Sequence, residues 1–147
     1  MNVRQILAKK GINVITIRPD QLIREAVALM SKHRIGALIV VDSDSHPVGI
    51  ISERDIVRRA AKDESLFGIE VQDIMTSDLV IGMPQDDIYS VAQTMTKKRF
   101  RHLPIVEDGE LVGIISIGDI LKAERDQYLG EIDTLETNIQ ADSTRPE

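Results

Sequence analysis

Gly49-Ile50-Ile51-Ser52-Glu53-Arg54-Asp55 recurs as Gly113-Ile114-Ile115-Ser116-Ile117-Gly118-Asp119, and the recurrence decides how the whole chain is read. Each copy leaves an apolar, β-branched run and enters a polar, amphipathic stretch. That is the signature of a strand turning into a helix at the Ser. The two copies lie 64 positions apart (113 minus 49). Upstream of them Pro19, Ile23, Met30, Arg34 and Val41 correspond to Pro84, Ile88, Met95, Arg99 and Val106 at a separation of 65 (84 minus 19). One residue is lost between the copies where DSDSHPV in the first becomes EDGELV in the second, a length change that a surface turn accommodates.

The same order of elements is predicted in both halves. Ile15 to Ile17 and Leu79 to Ile81 are short strands ended by the turn at a Pro. Asp20 to His33 and Asp86 to Lys98 carry Ile23, Ala26, Val27, Met30 and Ile88, Val91, Ala92, Met95 at helical spacing. Ala37 to Val41 with Val48 to Ser52, and Leu103 to Val106 with Leu111 to Ser116, form hairpins around polar turns. Glu53 to Lys62 and Ile117 to Tyr128 close each copy as helices. The fold class is α+β, two βαββα repeats with small sheets. The expected division is 1–66 for the first repeat with its lead-in, 67–129 for the second, and 130–147 for a tail. In that tail Gly130 is expected to interrupt the helix, leaving a short helical piece and a frayed end over Asp142 to Pro146. A unit of about 60 residues buries too little surface to be stable alone, so the copies are expected to pack on one another about a pseudo-twofold axis.

Composition narrows the function. The 147 residues contain no Cys and no Trp, which excludes disulfides, thiolate metal sites and Cys nucleophiles. A net charge of -6 argues against a general nucleic-acid binder, whose affinity comes from cations displacing phosphate counterions. The short basic run Lys97-Lys98-Arg99 with Arg101 and His102 is read as a solvated helix end. His33 and His46 have no second ligand at metal spacing, so no metal is expected. No apolar stretch reaches the ~18 residues of a membrane span and no leader pattern opens the chain, so a cytoplasmic protein is expected. No nucleophile elbow, phosphate-binding loop or acid-base pair is legible, and the chain is not expected to be an enzyme.

The repeated Ser-x-x-Asp has two readings. It is a capping box, in which the Ser hydroxyl caps the helix and the Asp reaches back to the Ser amide. It is also a ligand site, because a helix start offers N–H donors to a phosphate and a carboxylate one turn on accepts from both hydroxyls of a ribose.

These residues, together with Asp73-Ile74-Met75-Thr76 and Arg101-His102-Leu103-Pro104-Ile105-Val106, resemble a tandem pair of CBS domains, the family named after cystathionine β-synthase, over about residues 10 to 128. The resemblance implies two clefts between repeats that pack through their sheets, each able to take AMP, ADP, ATP or a related adenosine ligand such as NADH or S-adenosylmethionine. One cleft would combine Ser116 and Asp119 with Asn13, Val14 and Ile15 of the segment from Gly11, with Gly36 and Ala37, and with Arg101, His102, Leu103 and Pro104. The other would combine Ser52, Arg54 and Asp55 with Met75, Thr76 and Val80. By the same resemblance Asp55 and Asp119 hold ribose, Arg54 and Arg101 reach phosphate, and the Asp119 cleft is expected by a narrow margin to be the occupied one. A homodimer, an unidentified regulated partner and a role in sensing follow too. The competing reading is a ligand-free interaction scaffold.

Overall fold

A computed structural model describes residues 1–11 and 13–143 of the chain. Ten regular elements run in the order α1 (Val3–Lys10), β1 (Thr16–Ile17), α2 (Ile23–His33), β2 (Ala37–Val41), β3 (Pro47–Ser52), α3 (Glu53–Ala60), α4 (Ile88–Lys98), β4 (His102–Glu107), β5 (Glu110–Ser116) and α5 (Ile117–Ser143), with short 3-10 turns at Leu66–Gly68 and Val71–Asp73. The βαββα order thus stands in the first repeat, and its αββα part in the second.

The first sheet is β1-β2-β3, with β1 parallel and β3 antiparallel to β2. Its central strand Ala-Leu-Ile-Val-Val is buried at all five positions, which is why its sequence is uniformly apolar rather than alternating. The second sheet pairs β4 with β5 and carries its irregularity at Ile105/Val106, as the first carries its own at Val40/Val41. Helices α2 and α4 bury Ile23, Ala26, Met30 and Ile88, Val91, Met95, the faces their spacing predicts. Both end on an Arg in the left-handed region, Arg34 at φ 53° and Arg99 at φ 58°, so the repeat extends to backbone conformation.

The second copy departs from expectation at its first strand. Ile17 pairs with Val40 in the first repeat, and its counterpart Gly82 pairs with Ile105, but only as an isolated bridge. Gly82 donates to Pro104 O at 2.9 Å and accepts from Val106 N at 2.9 Å, so residues 104 and 106 turn their backbone groups toward this segment. Pro104 has no N–H to return to Val80, two residues before Gly82, and a strand cannot propagate past a missing donor. The strand predicted over Leu79 to Ile81 is therefore absent.

The lead-in segments are exchanged between repeats. Val3 N donates to Asp86 O at 2.9 Å, Arg4 N to Pro84 O at 2.8 Å and Ile88 N to Met1 O at 3.2 Å, tying the start of the chain to the second repeat. Val71 N donates to Gln21 O at 2.8 Å, Gln72 N to Pro19 O at 3.0 Å and Ile23 N to Ile69 O at 2.9 Å, tying the linker to the first by the same pattern. Accordingly Val3, Ile6 and Leu7 lie in the core with Leu103, Ile105 and Ile115, while Val71 lies in the core with Leu38, Val40 and Ile51. The symmetry of these bonds is the pseudo-twofold relation between the copies.

Helix α5 is continuous from Ile117 to Ser143 and runs through Gly130 without a break, contrary to the expected interruption. A glycine in a helix interior costs about 1 kcal/mol relative to Ala, which weakens a helix without ending it. The frayed end expected at Asp142 to Pro146 falls partly on helical residues 142–143 and otherwise on residues outside those described. No helix among the described residues is long and apolar enough to cross a membrane.

Candidate functional site

Both Ser-x-x-Asp motifs form capping boxes. Ser52 N donates to Asp55 Oδ2 at 2.9 Å, Ser52 Oγ to the same oxygen at 2.9 Å, and Asp55 N to Ser52 Oγ at 3.3 Å. Ser116 N donates to Asp119 Oδ2 at 2.9 Å and Asp119 N to Ser116 Oγ at 3.1 Å. The capping reading is thus realised in both copies, and it does not compete with the ligand reading. Each carboxylate commits Oδ2 to the cap, and among the described residues no hydrogen bond engages Oδ1 of either. The cap holds a second acceptor in place at the mouth of the strand-to-helix turn.

What surrounds the two carboxylates differs. Asp55 opens on a cavity of about 810 Å³ lined by Ile50, Ser52, Arg54, Asp55 and Arg58 of the first repeat, by Thr76, Asp78, Leu79 and Val80 of the linker, and by Lys98, Arg99, Phe100, Arg101, His102 and Pro104 of the second. That volume lies within the range of small-molecule sites. Ile50, Leu79, Val80, Phe100 and Pro104 provide apolar walls, and five cations, Arg54, Arg58, Lys98, Arg99 and Arg101, face two carboxylates. None of the five makes an ion pair among the described residues. In a chain of net charge -6 this is a local inversion of sign, and it suits an anion.

Asp119 meets a cation from its own chain. Lys10 Nζ donates to Asp119 Oδ2 at 2.6 Å and to Ile114 O at 2.9 Å. Burial alone would raise the Asp119 carboxyl, but the Lys10 ammonium and the Ser116 amide outweigh it and hold the group below the usual carboxylate value.

The predicted site residues distribute as follows. Ser52, Arg54, Asp55, Thr76 and Val80 share the Asp55 cavity as expected. Met75 is half-buried behind it, against Gly49 and the first core. Arg101, His102 and Pro104, expected beside Asp119, line the Asp55 cavity, because the start of β4 faces the first repeat, and His102 also lies within electrostatic reach of Asp119. Ala37 and Leu103 are buried residues, 5% and 3% exposed. Gly36 lines a groove between α2 and α3 with Met30 and Val57. Asn13 is exposed and Val14 and Ile15 are half-buried in the extended segment before β1, while Ile12 lies outside the described residues. Lys98, Arg99 and Arg101 line the cavity and are not merely a solvated helix end; Arg58, Asp78 and Lys10 gave no signal in the sequence, since lone charges on polar stretches are ordinary.

His102 sits at the seam, paired in register with Ser116 and facing the cavity. Burial, then the charge of Lys10, lowers its pKa, against the opposing pull of Asp119. The unfolded chain takes up this proton near pH 6.5, while the folded chain resists until lower pH. Between those values the unfolded state binds more protons, so stability falls as pH drops below about 6.5. Urea midpoints at pH 7.5 and 5.5 should fall less in His102→Gln than in the wild type; equal falls would show that His102 carries none of the dependence.

The Asp42, Asp44 and His46 side chains bring three potential metal-ligating atoms within 4.8 Å of one another, a neighbourhood for His46 that sequence spacing did not reveal. Asp42 Oδ1 already accepts from the Asp44 and His46 amides at 2.9 and 3.0 Å, so the cluster is accounted for as a side-chain-capped turn.

Comparison with known proteins places these features. The family model described as CBS domain matches residues 3–62 and 71–126. The crystal structure of the CBS-domain containing protein ATU1752 from Agrobacterium tumefaciens superposes with a TM-score of 0.82 at 38% identity, covering 84% of this chain and 99% of that one. The CBS domain pair of protein MJ0100, in complex with 5′-methylthioadenosine and S-adenosyl-L-methionine, superposes at 0.78 with 28% identity over 86% and 98% of the two chains. CBS domain protein PAE2072 from Pyrobaculum aerophilum, complexed with AMP, superposes at 0.73 with 29% identity over 81% and 89%. The chain spans 41% and 61% of the lengths of two curated relatives that it matches at 36% and 34% identity.

Proposed function

This chain belongs to the CBS-domain family, and we propose that it is a regulatory module that binds an adenosine nucleotide between its repeats and catalyses nothing itself. One observation carries the reading: the Asp55 cavity joins a fixed sugar-binding carboxylate to five cations that have no anionic partner among the described residues. Asp55 accepts from the ribose hydroxyls, the apolar walls hold the base, and the arginines take phosphate through their bidentate forks. That adenosine ligands are bound by MJ0100 and PAE2072 supports the chemistry. The excess of cations favours a di- or triphosphate over a nucleoside. Because the cavity is built from both repeats and the linker, a ligand that prefers one arrangement of the pair shifts the population toward it, and a partner protein reads the shift.

The protein acts as a homodimer in this proposal. Val57 and Leu121, equivalent positions at a separation of 64 (121 minus 57), are 67% and 60% exposed on α3 and α5, and self-association would cover them.

A thermal-shift panel tests the reading. ATP and ADP are expected to raise the melting temperature most, AMP less, and adenosine and S-adenosylmethionine least, with the order compressed at high salt as phosphate contacts are screened. Absence of a shift with every adenosine compound would leave the scaffold reading standing. Turnover of any of them by the purified chain would end the non-catalytic one.

A further inference from the structure

The repeat itself identifies the position at which the surroundings of the two carboxylates differ. Leu7 lies on Gly113, where an added Cβ would stand 2.5 Å from Leu7 Cδ2, and Met75 lies on Gly49 with its Sδ at the same 2.5 Å. This places Leu7 and Met75 in register at a separation of 68 (75 minus 7), and three residues further on it aligns Lys10 with Asp78. The aligned residues carry opposite charge. Asp78 lines the cavity at Asp55, whereas Lys10 bonds the carboxylate of Asp119 and the carbonyl of Ile114, the residue equivalent to Ile50.

Lys10 is not a wandering surface lysine. It ends α1, whose Val3, Ile6 and Leu7 are buried in the second core, and Gly11 closes that helix at φ 92° with its N–H on Leu7 O at 2.9 Å. The Lys10 side chain is 35% exposed and that of Asp119 23%, so both are partly withdrawn from water. A ribose that spreads its two hydroxyls over both Asp119 carboxylate oxygens competes with this ammonium for Oδ2. Ile114 O remains as a neutral acceptor only, and a partly desolvated charge left without its counterion is unfavourable. A ligand that brings its own anion beside the sugar gives Lys10 a new partner; one without it does not. Among the described residues no cation bonds Asp55 in the same way.

We infer that Lys10 is a specificity-determining residue, restricting the Asp119 cleft to nucleotides that carry a 5′-phosphate and rejecting unphosphorylated nucleosides. The inference rests on the reading of Asp119 as a ribose-binding group. Its test uses the full chain with Asp55→Ala, which silences the other cleft, and calorimetric titration with AMP and with adenosine. AMP should bind at least about tenfold more tightly than adenosine, and adding Lys10→Met should weaken AMP, strengthen adenosine and bring the ratio toward one. A ratio that Lys10→Met leaves unchanged overturns the inference, as does failure of either compound to bind Asp55→Ala both with and without Lys10→Met. Melting of Lys10→Met, Asp119→Asn and the double variant without ligand separates the causes. Non-additive losses alongside an unchanged ratio sink the specificity role alone, while wild type that binds no adenosine compound sinks the ribose reading and this inference with it.

Discussion

Asp55→Ala is expected to remove most of the stabilisation that ATP confers on the wild type, leaving only the share contributed at Asp119. At a ligand concentration about 100 times the dissociation constant that stabilisation is ~2.7 kcal/mol, roughly 5–10 °C in a chain of this size. The substitution has a second effect that must be kept apart. Asp55 Oδ2 accepts from both the amide and the hydroxyl of Ser52, so its loss also breaks the reciprocal half of the α3 capping box, while Ser52 Oγ still caps the residue-55 amide, and lowers stability without ligand by about 0.5–1.5 kcal/mol. The informative quantity is therefore the difference between melting temperatures with and without ATP, measured on each protein. Asp55→Asn sharpens the point, because an amide oxygen still serves the Ser52 N–H while the charge offered to the sugar is gone. It should keep most of the basal stability and lose most of the ligand shift. A full ATP shift in Asp55→Ala, with its loss in Asp119→Ala, would move the working site to the other cleft.

Leu7→Ala is expected to cost about 2–5 kcal/mol, the range for a buried leucine whose site cannot collapse. Leu7 is 6% exposed and packs on Gly113 of β5. Gly113→Ala is expected to cost about 1–3 kcal/mol by the opposite mechanism, since its methyl would lie 2.5 Å from Leu7 Cδ2. Combined, the two should cost clearly less than their sum, because the new methyl enters the space that Leu7 vacates. Denaturant melts of the four proteins read the coupling directly. Strict additivity would mean that α1 does not seat on the second repeat and that the exchange of lead-in segments is not a feature of the fold in solution. Gly49→Ala lacks that escape, because its methyl would also meet the backbone oxygen of Thr76 at 3.1 Å.

Much of the architecture is legible in one dimension because it depends on local periodicity. The spacing of Ile23, Ala26 and Met30, the unbroken apolar run of β2 and the Ser-to-Asp interval of each cap are all set within a few bonds of one another, and duplication makes each visible twice. The same locality explains the errors at particular residues. Pro104 suppresses a strand on a segment more than twenty residues before it, and Gly130 is carried by a helix long enough to absorb its cost.

The amino-acid order alone therefore determined the duplicated plan of helix, hairpin and helix, the helix faces and the pair of capped carboxylates. Only the tertiary structure decided that residues 1–10 serve the second repeat, that Arg101 and His102 face Asp55, and that Lys10 rather than solvent meets Asp119. The reason is physical: a cap or a hydrophobic stripe is a short-range property of the chain, whereas a charge acquires its partner only when segments about a hundred residues apart are brought within 3 Å.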